Sequence, residues 1–215
     1  MYKHRLFMLM VLGLWLGQVA VAQDPQAERV LRESKQKLES LQDFAANFSY
    51  VIDNPQMPRK VEPRTGKIRY KGGKYALLMP DQEIYCDLET LWIYLPEDKE
   101  VTIMPYDPEE GFTLESIFSI YEAHAKARYE GTESVHGITC DKIYLAIQDD
   151  DLDYNQAYVW VNPRTLLLEK VALIDRRQTT TTYEFVGLRA NLGFAEGQFR
   201  FDPARHPGVT VLDER

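Results

Sequence analysis

The chain has 215 residues, with 25 Lys and Arg against 33 Asp and Glu and a formal net charge of −8. An acidic chain without basic clusters is unsuited to nucleic acid, and anionic headgroups would repel it. Its length is enough for one sizeable core.

Residues 1–22 read as a secretory signal peptide. Lys3, His4 and Arg5 precede an apolar run from Leu6 to Leu16, and Ala20-Val21-Ala22 offers the small residues of a cleavage site. Cleavage before Gln23 would remove Lys3 and Arg5, leaving 23 cationic against 33 acidic residues, a net −10. The run is too short to span a bilayer comfortably, no later stretch approaches about 18 uninterrupted apolar residues, and Gln23 is not a lipid-accepting cysteine. The expected mature protein, residues 23–215, is therefore a single soluble domain. Cys86 and Cys140 lie in strand-like runs of an exported chain, where either a disulfide or two buried thiols could result. A bridge would close a loop of about 55 residues, worth roughly 4 kcal/mol.

Asp24-Pro25 predicts a helix start, with Asp24 as the cap and Pro25 where its missing donor costs nothing. The helix runs to about Leu41, with Leu31, Ser34, Leu38 and Leu41 on one side and charged residues between Glu28 and Glu39 opposite. From Phe44 the period changes to two, and Phe44, Ala46, Phe48, Tyr50 and Ile52 mark one face of a first strand. Asn54 to Arg64, holding Pro55, Pro58 and Pro63, is a loop.

The stretch from Thr65 to Pro105 reads as a meander of five short strands: Gly66 to Lys71, Lys74 to Met79, Gln82 to Asp87, Thr90 to Leu95 and Glu100 to Met104. Gly72-Gly73, Pro80-Asp81, Leu88-Glu89 and Pro96-Glu97-Asp98 join them too closely for anything but antiparallel hairpins. Leu91, Ile93 and Leu95 share one face of the fourth strand, and Thr90, Trp92 and Tyr94 share the other. Both faces are apolar, so the second needs a cover of helix, partner or ligand.

Pro105 to Gly111 breaks the run, and Thr113 can cap a second helix from Leu114 to about Ala125, with Leu114, Ile117, Phe118 and Tyr121 on its apolar face. Strands resume at Lys126 to Ser134, Ile138 to Ile147, Asn155 to Asn162, Leu166 to Asp175 and Gln178 to Gly187. The tail holds short extended pieces at Gln198 to Phe201 and Val209 to Leu212. The sum is about eleven strands and two helices in a mainly β unit.

Catalytic constellations do not emerge. His124, His136 and His206 are isolated, and neither a Gly-x-Ser-x-Gly motif nor a paired metal-ligand spacing occurs. Asp149-Asp150-Asp151-Leu152-Asp153 lacks the spacing of a calcium loop and reads as a solvated hairpin tip. The expectation is a protein that is not an enzyme and has no cofactor or metal.

Three stretches carry a resemblance to the LolA family of periplasmic lipoprotein carriers. Phe44-Ala45-Ala46-Asn47-Phe48-Ser49 resembles the family's A-x-F-x-Q entry to its first strand, with Tyr50 in place of Gln. Gly66 to Lys71, Lys74 to Leu77 and Cys86-Asp87-Leu88-Glu89-Thr90-Leu91-Trp92-Ile93-Tyr94 follow its central meander. Phe199-Arg200-Phe201 and Pro207 to Arg215 resemble its closing F-x-F and P-x-G-V-x-V-x-D-x-R. Gly72-Gly73 departs from the family's Arg-Pro, so lid latching by that Arg does not transfer, and Asp87-Leu88-Glu89-Thr90 replaces its Asp-Gly turn.

The resemblance implies an incomplete, strongly curved antiparallel β-barrel whose apolar concave face is lidded by the helices. The lipid-binding cavity expected from it is lined by Leu38, Leu41, Tyr75, Leu77, Met79, Trp92, Tyr94, Ile117, Phe118 and Tyr121. It further implies a monomeric carrier in the periplasm. Its partners would be acylated lipoproteins, an inner-membrane lipoprotein-releasing ABC transporter and an outer-membrane acceptor. The alternative on the same fold is a module that senses lipid or lipoprotein, and a hydrolase is disfavoured by the missing site.

Overall fold

The computed structural model describes residues 24–57, 61–107 and 114–215. The expected signal peptide, Pro58, the breaker residues 108–111 and the Thr113 cap lie outside the described residues, as does the side chain of Leu114. Among the described residues the order is α1 (Pro25–Glu39), β1 (Phe44–Asp53), β2 (Arg64–Lys71), β3 (Lys74–Leu78), β4 (Glu83–Cys86), β5 (Thr90–Leu95), β6 (Glu100–Pro105), α2 (Leu114–His124), β7 (Ala125–Val135), β8 (Ile138–Ile147), β9 (Tyr154–Val161), β10 (Leu168–Asp175), β11 (Thr180–Ala190) and β12 (Thr210–Asp213). The piece expected to be extended at Gln198 to Phe201 is instead mostly a 3-10 turn, Glu196–Phe199.

All twelve strands join one sheet, ordered β12-β6-β5-β4-β3-β2-β1-β11-β10-β9-β8-β7. Connections of two to six residues make two local meanders, β2 to β6 and β7 to β11, because links this short are those of antiparallel neighbours. The long strand β1 fuses them, pairing with β2 on one side and with β11 on the other, where Phe44 meets Ala190. β12 returns to pair with β6 in parallel. The end strands β12 and β7 are not neighbours, so the sheet is curved but unclosed, an incomplete barrel.

α1 lies against β7 and β9, and α2 against β7 and β8, on one face of the sheet. That inner face holds the main core. Ala27, Val30, Leu31 and Leu38 of α1 and Ile117 and Phe118 of α2 pack with Phe44, Ile68, Ile143, Leu145, Val159 and Leu173 of the strands. The stripe expected on α1 is therefore core, although the helix stops at Glu39 and Leu41 packs from just beyond it.

On the outer face, the meander's second apolar surface is covered by the protein's own tail. The Phe201 ring lies tilted 5.0 Å from Tyr94 and edge-on 6.2 Å from Tyr85, and His206 lies 4.4 Å from Tyr94. The tail is pinned at both ends of this crossing. Buried Asp43 accepts from the backbone N–H groups of Leu192 and Phe194, and Arg200 Nε lies 2.7 Å from Asp87 Oδ2. Glu196 is held by Lys71 at 2.9 Å and by Lys74, which keeps its carboxyl down at about 2. Cys86 and Cys140 are free buried thiols. Cys86 is paired with the inner-facing Tyr75, whereas Cys140 packs with Val135, Trp160 and Ala172 in a separate cluster, so they do not bridge.

Candidate functional site

Antiparallel partners directly opposite one another point to the same face. Two inner-face rows therefore follow from the register. One runs Phe44, Tyr70, Tyr75, Cys86, Leu91, Met104, and the other runs Ala46, Ile68, Leu77, Ile84, Ile93, Thr102. Each crosses six strands, roughly 24 Å at the usual strand spacing. Burial grades along them. Phe44 and Ala46 are closed in beneath the core, while Leu77, Ile84, Leu91, Ile93 and Met104 are only half-buried. The inner face of β3 to β6 is thus an apolar trough that opens out from the helix-covered core.

The polar atoms in this trough carry no charge at neutral pH. Burial pushes the Tyr75 hydroxyl up, with Cys86 and Tyr106 adding to it, and Tyr75 and Cys86 are hydrogen-bonded across the β3–β4 ladder. Burial likewise raises Cys86, Tyr106 and Tyr121. A neutral lining suits an alkyl chain and penalises an ion, because an unpaired charge is costly away from water.

The helices are held by polar anchors as well as apolar packing. Asp24 Oδ1 accepts from Gln26 N at 3.0 Å and Ala27 N at 3.3 Å, capping α1, while Oδ2 accepts from Tyr129 N of β7 at 2.9 Å. Lys35 of α1 reaches Glu122 of α2 at 2.6 Å. His124, ending α2, lies 2.9 Å from Asp149, and Arg176 donates to Asp150 at 2.9 Å. The acidic hairpin tip is thus engaged by side chains of the protein, and among the described residues no cluster of three metal-ligating side chains occurs.

Eight of the ten expected cavity residues lie together in or against the inner core: Leu38, Leu41, Tyr75, Leu77, Met79, Ile117, Phe118 and Tyr121. Trp92 and Tyr94 do not. They belong to the outer-face cluster with Val101 and Phe201, because positions 92 and 94 alternate with the inner-facing Leu91 and Ile93. Sequence reasoning missed Ile84, Leu91, Ile93 and Met104. The signal for them was available in the short turns, which fix Leu77 opposite Ile84 and Ile84 opposite Ile93.

Two departures from the family pattern meet in space. Gly72 and Gly73 form the β2–β3 turn at φ +54 and +87, and Leu88, in the β4–β5 turn, takes φ +76. A Cβ on Gly73 would stand 3.1 Å from the Leu88 side chain. Leu88 thus occupies the space that a side chain at position 73 would need. Asp87 holds the Leu88 turn, accepting from Glu89 N at 3.1 Å and Thr90 N at 2.9 Å.

An unclosed antiparallel half-barrel with helices over an apolar inner face defines the architectural class. The family described as outer membrane lipoprotein carrier protein LolA matches residues 77–202, more than half of the sequence, and the chain belongs to that family as a diverged member. The match runs from the end of β3 through the Phe199-Arg200-Phe201 segment. No curated protein matches the sequence.

Solved structures share the fold at low identity. An uncharacterised conserved protein of Thermus thermophilus is 10% identical, with 88% of this chain covering 99% of that one at a TM-score of 0.59. The MucA/MucB complex of Pseudomonas aeruginosa gives 17% identity, 83% of this chain, 62% of that chain and a TM-score of 0.51. The Mycobacterium tuberculosis lipoprotein LppX gives 13% identity, 80% and 98% coverage and a TM-score of 0.51.

Proposed function

We propose that this protein is an exported carrier, cleaved before Gln23, that shelters the acyl chains of lipoproteins in the trough between β3–β6 and the helices and moves them from the inner to the outer membrane. The observation that carries this reading is the pair of apolar rows that continue from a buried core into a half-open, uncharged surface. Each methylene removed from water contributes about 0.8 kcal/mol, so two or three sheltered acyl chains are held firmly without any covalent step. Release then requires a receiver that offers better burial. On this reading a lipoprotein-releasing ABC transporter loads the monomeric carrier in the periplasm and an outer-membrane acceptor unloads it.

The test is purification of the exported protein from its host followed by native mass spectrometry and a release assay from spheroplasts. Co-purified acylated protein and lipoprotein release into the soluble fraction are the expected results. A purified protein that neither carries acylated cargo nor releases it sinks the reading. The second reading, a module that binds lipid or lipoprotein as a signal, draws support from the shared fold of MucB, which was solved in complex with MucA. Bound lipid without any release activity is the outcome that favours it.

A further inference from the structure

A second recess lies on the outer face, away from the trough. Ala45 of β1 is flanked by Arg189 of β11 and Arg69 of β2, its direct partners in the two ladders. A methyl group between two long side chains leaves a hollow, and a bulge deepens it. Between Ala45 and Asn47 the register with β11 slips by one residue, with Gly187 there at φ +68. The resulting cavity of about 550 Å³ spans β2, β1 and β11, with Lys67, Arg69, Ala45, Asn47, Gly187 and Arg189 in its lining.

Three cations line this groove, and among the described residues Lys67, Arg69 and Arg189 have no carboxylate partner within ion-pair distance. The nearby acids are committed elsewhere. Glu196 takes Lys71 and Lys74, Glu184 takes Lys170 and His136, and Asp43 takes backbone N–H groups of the tail. In a protein of net charge −8, three unpaired cations in one recess form a local field opposite in sign to the whole.

We infer that this groove is a docking site for an extended acidic peptide segment of a partner protein. The spacing selects its form. Arg69 and Arg189 stand two strand spacings apart, about 9.5 Å. A polyproline II chain returns to the same face every third residue, after about 9.3 Å. Acidic residues three apart on such a chain face the two guanidiniums together, each of which pairs a carboxylate through two N–H groups. Lys67, about 6.8 Å along β2 from Arg69 and opposite Asn47, lies beside this track and adds to its positive field. A recessed groove accepts a chain, whereas a flat membrane surface cannot enter it, and the acidic remainder of the protein repels anionic lipid.

The experiment uses the full exported protein and a fluorescein-labelled peptide of repeated Glu-Pro-Pro, read by anisotropy. Its control has the same composition with the glutamates contiguous. The expected result is saturable binding of the repeat that weakens with salt, weaker binding of the contiguous control, and at least about a tenfold loss in the Arg69→Glu/Arg189→Glu double variant. Lys126→Glu, on the outer face of β7, should bind as wild type, and melting curves confirm that all variants fold. The inference is overturned by no binding at about 1 mM peptide, by equal affinity for the two peptides, or by unchanged affinity in the double variant. Charge-reversible sedimentation with phosphatidylglycerol vesicles in place of peptide binding would also overturn it, by assigning the site to a membrane surface. Lipid loading of the trough does not enter any of these outcomes, so carrier function and peptide docking fail independently.

Discussion

The Asp24 carboxylate joins α1 to β7: one oxygen caps the helix and the other takes the backbone N–H of Tyr129. β7 ends the sheet, and an edge strand's unpaired N–H groups would otherwise face solvent or another chain. The same side chain therefore starts a helix and closes part of an edge. The Tyr129 N–H, followed by those of Ala27 and Gln26, outweighs the opposing effect of burial and lowers the Asp24 carboxyl below its ordinary value. A depressed carboxylate contributes stability above its unfolded pKa, near 4, and loses it as pH falls through the lower folded value. Asp24→Ala should speed hydrogen exchange at Gln26, Ala27 and Tyr129 while β2 to β6 keep their protection. Exchange that is unchanged at Tyr129 would show that the bridge does not hold the helix.

The face assignment of β5 is directly testable. Ile93→Arg places a charge on the inner row beside Ile84, and should abolish uptake of a fluorescent fatty acid. Leu77→Arg should act the same way. Trp92→Gln changes the outer face, so uptake should stay within about threefold of wild type even if stability falls by about 1–3 kcal/mol. Equal losses at 92 and 93 would show that both faces touch ligand.

Gly73 and Leu88 should behave as a coupled pair. Gly73→Ala introduces a Cβ at φ +87 into contact with Leu88, so a destabilisation of about 1–2 kcal/mol is expected. Leu88→Gly relieves a left-handed leucine and empties that space, and combining it with Gly73→Ala should cost less than the sum of the single changes. Urea unfolding of the four proteins supplies the cycle, and strict additivity would rule out the contact.

Asp43 fixes the tail and makes its docking acid-sensitive. Burial acts to raise its carboxyl, but the N–H groups of Phe194, Leu192 and Gly193, helped by Lys71, win and lower it. Tail docking is therefore intact above about pH 4 and weakens as pH drops below that. Asp43→Asn should bring the same loosening at neutral pH, read as faster exchange at Leu192 and Phe194. Phe199→Ala removes a fully buried ring and should cost about 3–5 kcal/mol in thermal or urea unfolding.

The strand pattern was legible because alternation and turn chemistry are local, and β5 and β8 match their expected spans residue for residue. The helices were legible for the same reason, since Leu31, Leu38, Ile117 and Phe118 recur at helical spacing. The site was half legible. Tyr75 and Leu77 were placed on one side by alternation and by the family resemblance, and they lie against the inner core, whereas Trp92 and Tyr94 belong to the outer cluster with Phe201. The cover of that face was illegible locally, because it depends on a tail that returns from more than 100 positions away. Hydrophobic pattern shows that a face needs covering without showing what covers it.

The seam between β1 and β11 has a kinetic consequence. Phe44 and Ala190 are 146 positions apart, whereas the ladders within β2–β6 and within β7–β11 join near neighbours. Loop closure must be paid before such a distant contact gives any return, so the two meanders form early and the seam last. In the interval both halves carry bare strand edges, the condition under which chains associate with one another. Newly made chains are thus most exposed to aggregation before the two halves of the half-barrel meet, and substitutions that weaken the seam should lower folding yield more than they lower the final stability.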